Sequence, residues 1–236
     1  MRGPKLDLKA RILDRVDGAL HAVWTPVDFL DLGARAAVDK ALQRLANDDV
    51  LRRIDRGLYD KPSVNALTGK PAPPLARAVV DAVARRDNAR LLVDGMTAAN
   101  DLGLTTAVPS QVTVLTDARL KAIQLGAQTI RFKQAAPSRL YWAGHPAMRI
   151  VQALYWLKDV LPADGDLKRR LIDLLKQGQH SDPLIFDLWR GFAAMPTWMQ
   201  TVVRDLFAGA GVENLLTSPP PAFGLPEAPP DYAGGV

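Results

Sequence analysis

Two helix-breaking signals seven residues apart, Pro26 and Gly33, constrain the start of this chain more than any other feature. Before them, Leu6, Leu8, Ile12, Leu13, Val16 and Leu20 recur at helical spacing and predict a first helix over residues 6–20. Thr25 is a good N-cap, and Pro26 suits the first helical position, where its missing N–H costs nothing. A short second helix is therefore predicted from Pro26 to Leu32, with Gly33 as the left-handed residue that ends it. A third follows from Ala34 to Asn47. Its Val38, Ala41, Leu42 and Leu45 share an inward face, while Arg35, Asp39, Lys40, Gln43 and Arg44 fall mostly towards solvent.

After Asn47-Asp48-Asp49, the runs Val50–Ile54 and Gly57–Tyr59 predict two short strands around a turn at Asp55-Arg56-Gly57. Three helices with a tight turn between the second and third, then a hairpin, is the order of a winged helix-turn-helix. Residues 61–74 hold four prolines and a glycine and cannot continue a helix or a central strand. We expect a winged helix-turn-helix domain over 1–62, a linker over 63–74, an α+β domain over 75–216 and a Pro-rich tail over 217–236.

The expected C-terminal domain begins with a helix over Leu75–Arg86, a strand at Leu91–Val93, a turn at Asp94-Gly95 and a short helix over Thr97–Leu102. Residues Val112–Thr116, Leu120–Leu125, Thr129–Lys133 and Leu140–Trp142 carry strand composition. Helices are predicted over Ala147–Lys158, Asp166–Lys176, Pro183–Phe192 and Thr197–Phe207. Strands first and helices afterwards indicate α+β, a mixed domain with a small sheet and several helices. The aromatic residues Tyr155, Trp156, Trp189 and Trp198 read as core packing.

The chain has 236 residues and no cysteine, which removes thiolate zinc sites, iron–sulfur clusters and thiol catalysis. His21, His145 and His180 show no ligand spacing, and there is no phosphate-binding glycine motif or nucleophile elbow. No cofactor or metal is expected, and the chain is not expected to be an enzyme. No apolar run approaches the ~18 residues that cross a bilayer. The first residues lack the apolar middle of a secretory signal, so a cytoplasmic protein without a membrane partner is expected.

Net charge is +5, unevenly distributed: +1 over residues 1–60, +7 over 61–150 and −3 over 151–236. A basic middle is compatible with a polyanionic partner. The third helix and the hairpin give that partner a shape, because a recognition helix reads base edges while a wing contacts the backbone or minor groove. Arg35, at the helix start, can pair bidentately with guanine, and Gln43 could read adenine if it faces the groove. Lys40 and Arg44 fit phosphate contacts, and Arg52, Arg53 and Arg56 are expected to reach DNA from the wing. Two alternatives remain open from the residues alone. One is a metal-dependent nuclease or nucleotidyl-transfer enzyme using Asp94, Asp101 or Asp117; the other is a module that binds a protein rather than DNA.

The stretches Trp24-Thr-Pro-Val-Asp-Phe-Leu-Asp-Leu-Gly33, Ala34-Arg-Ala-Ala-Val-Asp-Lys-Ala-Leu42 and Arg52-Arg-Ile-Asp-Arg-Gly-Leu-Tyr-Asp60 resemble the AbiEi-like type IV antitoxin family of abortive-infection systems. Leu102-Gly-Leu104, Val112–Asp117 and Pro196-Thr-Trp198 add to that resemblance, which spans most of residues 5–207. It implies a winged helix that binds repeats in its own promoter and represses its operon. It also implies a C-terminal domain that counteracts a nucleotidyltransferase-like toxin, with no catalytic residue. With it, the expected DNA-binding set is Thr25, Arg35, Ala36, Lys40, Gln43, Arg44, Arg52, Arg53, Arg56 and Tyr59. One departure is Ala34, where the family pattern places a small polar residue such as Ser.

Overall fold

The computed structural model describes residues 7–19, 21–64, 69–177 and 181–217. The expected Pro-rich tail lies outside the described residues from 218 onward. The fold is α+β, with eight α-helices and two small sheets among the described residues.

The opening elements are α1 (Leu8–Asp17), β1 (Val23–Trp24), a 3₁₀ turn (Pro26–Phe29), α2 (Arg35–Asn47), β2 (Arg52–Asp55) and β3 (Leu58–Asp60). The three strands form an antiparallel sheet in the order β1-β3-β2, with Arg52 opposite Asp60 and Val23 also opposite Asp60. This is winged helix-turn-helix architecture. Its core joins Ile12 and Val16 of α1, Phe29 of the 3₁₀ turn, and Val38, Ala41, Leu42 and Leu45 of α2 with Leu51 and Tyr59. The α2 residues in that core are the four that the 3.6-residue period places on one face.

Local chemistry explains the element ends. Asp28 reaches back so that its Oδ2 accepts from Thr25 N at 2.8 Å and Thr25 Oγ1 at 3.0 Å. With Pro26 at the first position, this fixes the start of the second helical element. That element is a single 3₁₀ turn instead of the expected helix to Leu32. Gly33 is not left-handed, contrary to expectation. Leu32 N instead bonds Phe29 O at 2.9 Å, and Ala34 leaves the turn in an extended conformation (φ −61°, ψ 146°) that opens α2. Gly57 does adopt φ +69° and turns the β2–β3 hairpin.

The remaining elements are α3 (Ala76–Asp87), β4 (Leu91–Val93), α4 (Gly95–Asp101), β5 (Gln111–Thr116), β6 (Ile123–Leu125), β7 (Gln128–Gln134), α5 (Met148–Leu157), α6 (Gly165–Lys176), α7 (Ser181–Arg190) and α8 (Thr197–Ala210). The second sheet has the order β4-β5-β7-β6, with β6 and β7 an antiparallel hairpin turned at Gly126 (φ +62°). Leu140–Trp142 is not a strand. Pro137 opens a 3₁₀ turn over Pro137–Leu140, and Ala143 N and His145 N continue the turns onto Leu140 O and Trp142 O. Trp189 is buried, but Trp156 is 44% exposed and is not core.

The molecule divides into two compact units. The first is Met1–Leu91 with Ser110–Val112 and Ala118–Phe132; the second is Leu92–Pro109, Thr113–Asp117 and Lys133–Val236. The segment 63–74, expected as an interdomain linker, therefore falls inside the first unit, and so does α3. Within that unit Arg85 of α3 bonds Asp28 Oδ1 and Val23 O, each at 2.9 Å, and Arg86 bonds Arg56 O at 2.6 Å. In the second unit α4 lies tightly on α5. A Cβ at Gly95 would meet Gln152 O at 2.6 Å and Trp156 Cβ at 2.7 Å, so this crossing requires glycine.

Candidate nucleic-acid interface

Burying Val38, Ala41, Leu42 and Leu45 turns the other face of α2 outward. Arg35, Ala36, Asp39, Lys40, Gln43 and Arg44 are all exposed. Ala34 is the N-cap and makes no side-chain cap hydrogen bond, while its carbonyl accepts from Ala37 N at 2.9 Å and Val38 N at 3.0 Å. Arg35 Nε bonds both oxygens of Asp39, at 3.0 and 3.1 Å, on the same helix face. Both side chains are about half exposed, at 57% and 49%. An i,i+4 surface pair of this kind stabilises by only about 0.3–0.5 kcal/mol, so Arg35 is easily drawn to another anion. Lys40 and Arg44 have no ion-pair partner among the described residues.

The hairpin arginines divide. Arg53 and Arg56 are exposed and have no ion-pair partner among the described residues. Arg52 is tied down. Its Nε and Nη2 bond Asp60 Oδ1 and Oδ2 at 2.9 and 2.5 Å, and its Nη1 bonds Ala72 O at 2.9 Å. Asp60 is buried, so this pair braces the wing from behind and removes Arg52 from the expected contact set. Thr25 (0% exposed) and Tyr59 (6%) also leave that set: one caps the 3₁₀ turn and the other packs in the core. The structure thus brings Arg35, Ala36, Lys40, Gln43 and Arg44 onto one helix face, with Arg53 and Arg56 on the hairpin.

Beside them a cleft of about 630 Å³ is lined by Arg35, Asp55, Arg56, Gly57, Arg86, Asp87, Arg119, Leu120, Lys121 and Ala122. Arg86 is held by Asp87 at 2.7 Å and lies 3.6 Å from Asp55. Those two carboxylates therefore answer to Arg86 first, and the remaining lining charge is positive. Arg86, Arg119 and Lys121 are absent from the sequence-expected set. The only trace of them there is the +7 of residues 61–150, because the juxtaposition of residue 119 with residue 56 is a long-range contact that no local pattern encodes.

Two other charged regions have structural employment. Arg15 of α1 grips Asp31 through paired bonds of 2.6 and 2.8 Å. The hydrogen bonds from Arg15 hold the Asp31 carboxyl below its ordinary range, opposed by desolvation and helped by the guanidinium charge. The same bonds raise Arg15. In the second unit, Asp187 accepts from Ala147 N and meets His145 Nδ1, both at 2.9 Å, and so anchors the start of α5. Tyr141 stacks on His145, and burial pushes its hydroxyl pKa up, with the Asp187 charge adding and Arg190 opposing.

The carboxylates weighed for a nuclease do not converge. Asp94 caps α4 and accepts from Thr97 N, Thr97 Oγ1 and Thr113 N, each at 2.9 Å. Asp101 pairs with Arg149 at 3.1 Å. Among the described residues no group of three His, Cys, Asp or Glu could hold a metal ion. No described helix is long and apolar enough to cross a membrane.

A protein-family model described as a family of unknown function (DUF6088) matches residues 11–182, well over half the chain. The match runs from α1 through the winged helix, both sheets, α5 and α6 to the start of α7. The chain therefore belongs to this family. No curated protein matches it.

Proposed function

We propose that this member of the DUF6088 family is a duplex-DNA-binding autorepressor and type IV antitoxin. The observation that carries the reading is the two-sided character of α2. One face is locked in the core, and the opposite face offers Arg35, Lys40, Gln43 and Arg44 beside a hairpin whose Arg53 and Arg56 lack ion-pair partners among the described residues. A rigid helix that projects cations and an amide can enter a major groove while the wing lies on the adjoining backbone. The likeness of residues 24–60 to AbiEi-like antitoxins supports the choice of its own promoter, with inverted repeats, as the target. It equally supports a nucleotidyltransferase-like toxin as the functional partner, and a cytoplasmic, non-enzymatic role.

In this reading Arg35 leaves Asp39 to pair with a guanine edge, Gln43 faces the groove, and Lys40, Arg44, Arg53 and Arg56 meet phosphates. The test is a mobility shift with the duplex upstream of the gene and a scrambled duplex of equal length. The native duplex is expected to bind at least about a thousandfold more tightly at physiological salt. Equal affinities would overturn the reading. Arg35→Gln should cut the ratio about tenfold, in line with the 1–3 kcal/mol of a bidentate guanine contact. Co-expression with the adjacent gene tests the antitoxin half: growth arrest by that gene alone, relieved by this chain, is the expected result.

A further inference from the structure

We infer that Arg119 and Lys121 form a second phosphate-binding element of the same DNA site, gripping the duplex backbone from outside the winged-helix motif. This rests on the duplex-DNA reading above and adds to it a contact some sixty residues beyond the wing.

The first sixty residues have a net charge of only +1, which is little for a protein that must displace counterions from a duplex. The cleft beside α2 and the hairpin supplies what is missing. Arg119 and Lys121 are exposed and share this cleft with Arg35 and Arg56. Neither has an ion-pair partner among the described residues. The carboxylates in the cleft, Asp55 and Asp87, are both engaged by Arg86. Five cations and two carboxylates line an opening of about 630 Å³, and even with Asp39 on Arg35 counted the balance is +2.

The lining also says which polyanion fits. It contains no aromatic residue, so unpaired bases have nothing to stack on, as they would in a single-strand channel. It contains no Asn, Gln, Ser or Thr, so it offers no neutral side-chain donor to a base edge. Apart from Arg35 at its edge with α2, the lining is charge without stacking or neutral base-reading groups, which is the chemistry of phosphodiester recognition on a duplex.

The test is fluorescence anisotropy with the full chain, the promoter duplex and a salt titration. Each phosphate contact contributes about 0.9 to the slope of log affinity against log salt. The Arg119→Gln/Lys121→Gln double variant should therefore flatten the slope by about 1.8. Between 50 and 200 mM salt it should lose about tenfold less affinity than the unaltered chain. Arg119→Lys/Lys121→Arg keeps the charge and should restore the slope, which separates loss of contact from loss of fold. An unchanged slope in the Gln variant, with the unaltered chain binding the promoter duplex, overturns this inference and leaves the repressor reading intact. Failure of the unaltered chain to bind that duplex overturns the reading and the inference together. A loss confined to single-stranded RNA of the same length, with duplex binding untouched, also overturns the inference.

Discussion

The helices α1 and α2 pack against each other in the same unit and carry three cations each, but they use them in opposite ways. Every cation of α1 ends on another element. Lys9 bonds Asp48 at 2.9 Å, Arg11 bonds Leu32 O at 3.1 Å, and Arg15 bonds Asp31 and, at 2.6 Å, Asp28 O. On α2 only Arg35 is paired among the described residues, and its partner is on its own exposed face. An acceptor supplied from outside the helix, carboxylate or carbonyl, converts a cation into a tie. Where none is supplied, the charge stays outward and available. The wing repeats this contrast within two adjacent residues, since Arg52 is a tie and Arg53 is outward.

If that distinction is physical, cutting a tie should cost stability and altering an outward charge should not. The largest effect is expected at Asp60. Asp60→Ala leaves Arg52 half-buried beside a vacancy and is expected to destabilise by about 2–3 kcal/mol. In a chain of this size that corresponds to a fall in Tm of about 5–10 °C, measured by thermal unfolding. Replacing both partners, Arg52→Met with Asp60→Leu, should recover most of the loss, because the penalty lies in the orphaned charge. If Asp60→Ala unfolds no earlier than Arg53→Ala, the division between tie and outward charge fails.

The same division sets how far the sequence could be read. The period of Val38, Ala41, Leu42 and Leu45 places α2 and its buried face, and the alternation in Thr129–Lys133 places β7. These signals are local. The two-residue β1 is not legible in the sequence, because its partners Tyr59 and Asp60 lie far along the chain and two residues show no alternation. Leu140–Trp142 has strand composition, but Pro137 at the head of a 3₁₀ turn overrides it. At the site, exposure of Arg35, Lys40, Gln43 and Arg44 follows from helical period alone. The role of Arg52 does not, although a hairpin turned at Arg56-Gly57 pairs residue 52 with residue 60 and so brings Asp60 within reach. Arg119 and Lys121 were out of range, since only the long-range fold brings them to the cleft.

A smaller effect, of opposite sign, is expected at Asp39. It is the carboxylate on the outward face of α2 closest to Arg35, and it repels phosphate. Asp39→Asn should leave Tm almost unchanged, because an exposed i,i+4 pair stabilises by only about 0.3–0.5 kcal/mol. It should raise affinity for the promoter duplex about twofold, a gain on the scale of one surface pair. Weaker binding by Asp39→Asn would mean that Arg35 needs Asp39 to hold it in a reading position. Arg35 would then behave as a tie, and the contrast with α1 would narrow.

The smallest effect concerns the pH dependence of the α1 ties. Arg15 holds the Asp31 carboxyl below its ordinary value, so the folded state binds that proton less readily than the unfolded chain. The contribution is therefore fully present above the unfolded pKa and disappears as pH falls through the lower, folded one. Comparing the unaltered chain with Asp31→Asn isolates it from the other carboxylates. The two should differ in Tm at neutral pH, and the gap should close only at pH values below the ordinary carboxylate range. The corresponding comparison on α2, Asp39→Asn, should show almost no gap in Tm at neutral pH. A gap at Asp39 as large as that at Asp31 would show that α2 binds its cations as firmly as α1 does, and would remove the reason for treating its outward face as open to DNA.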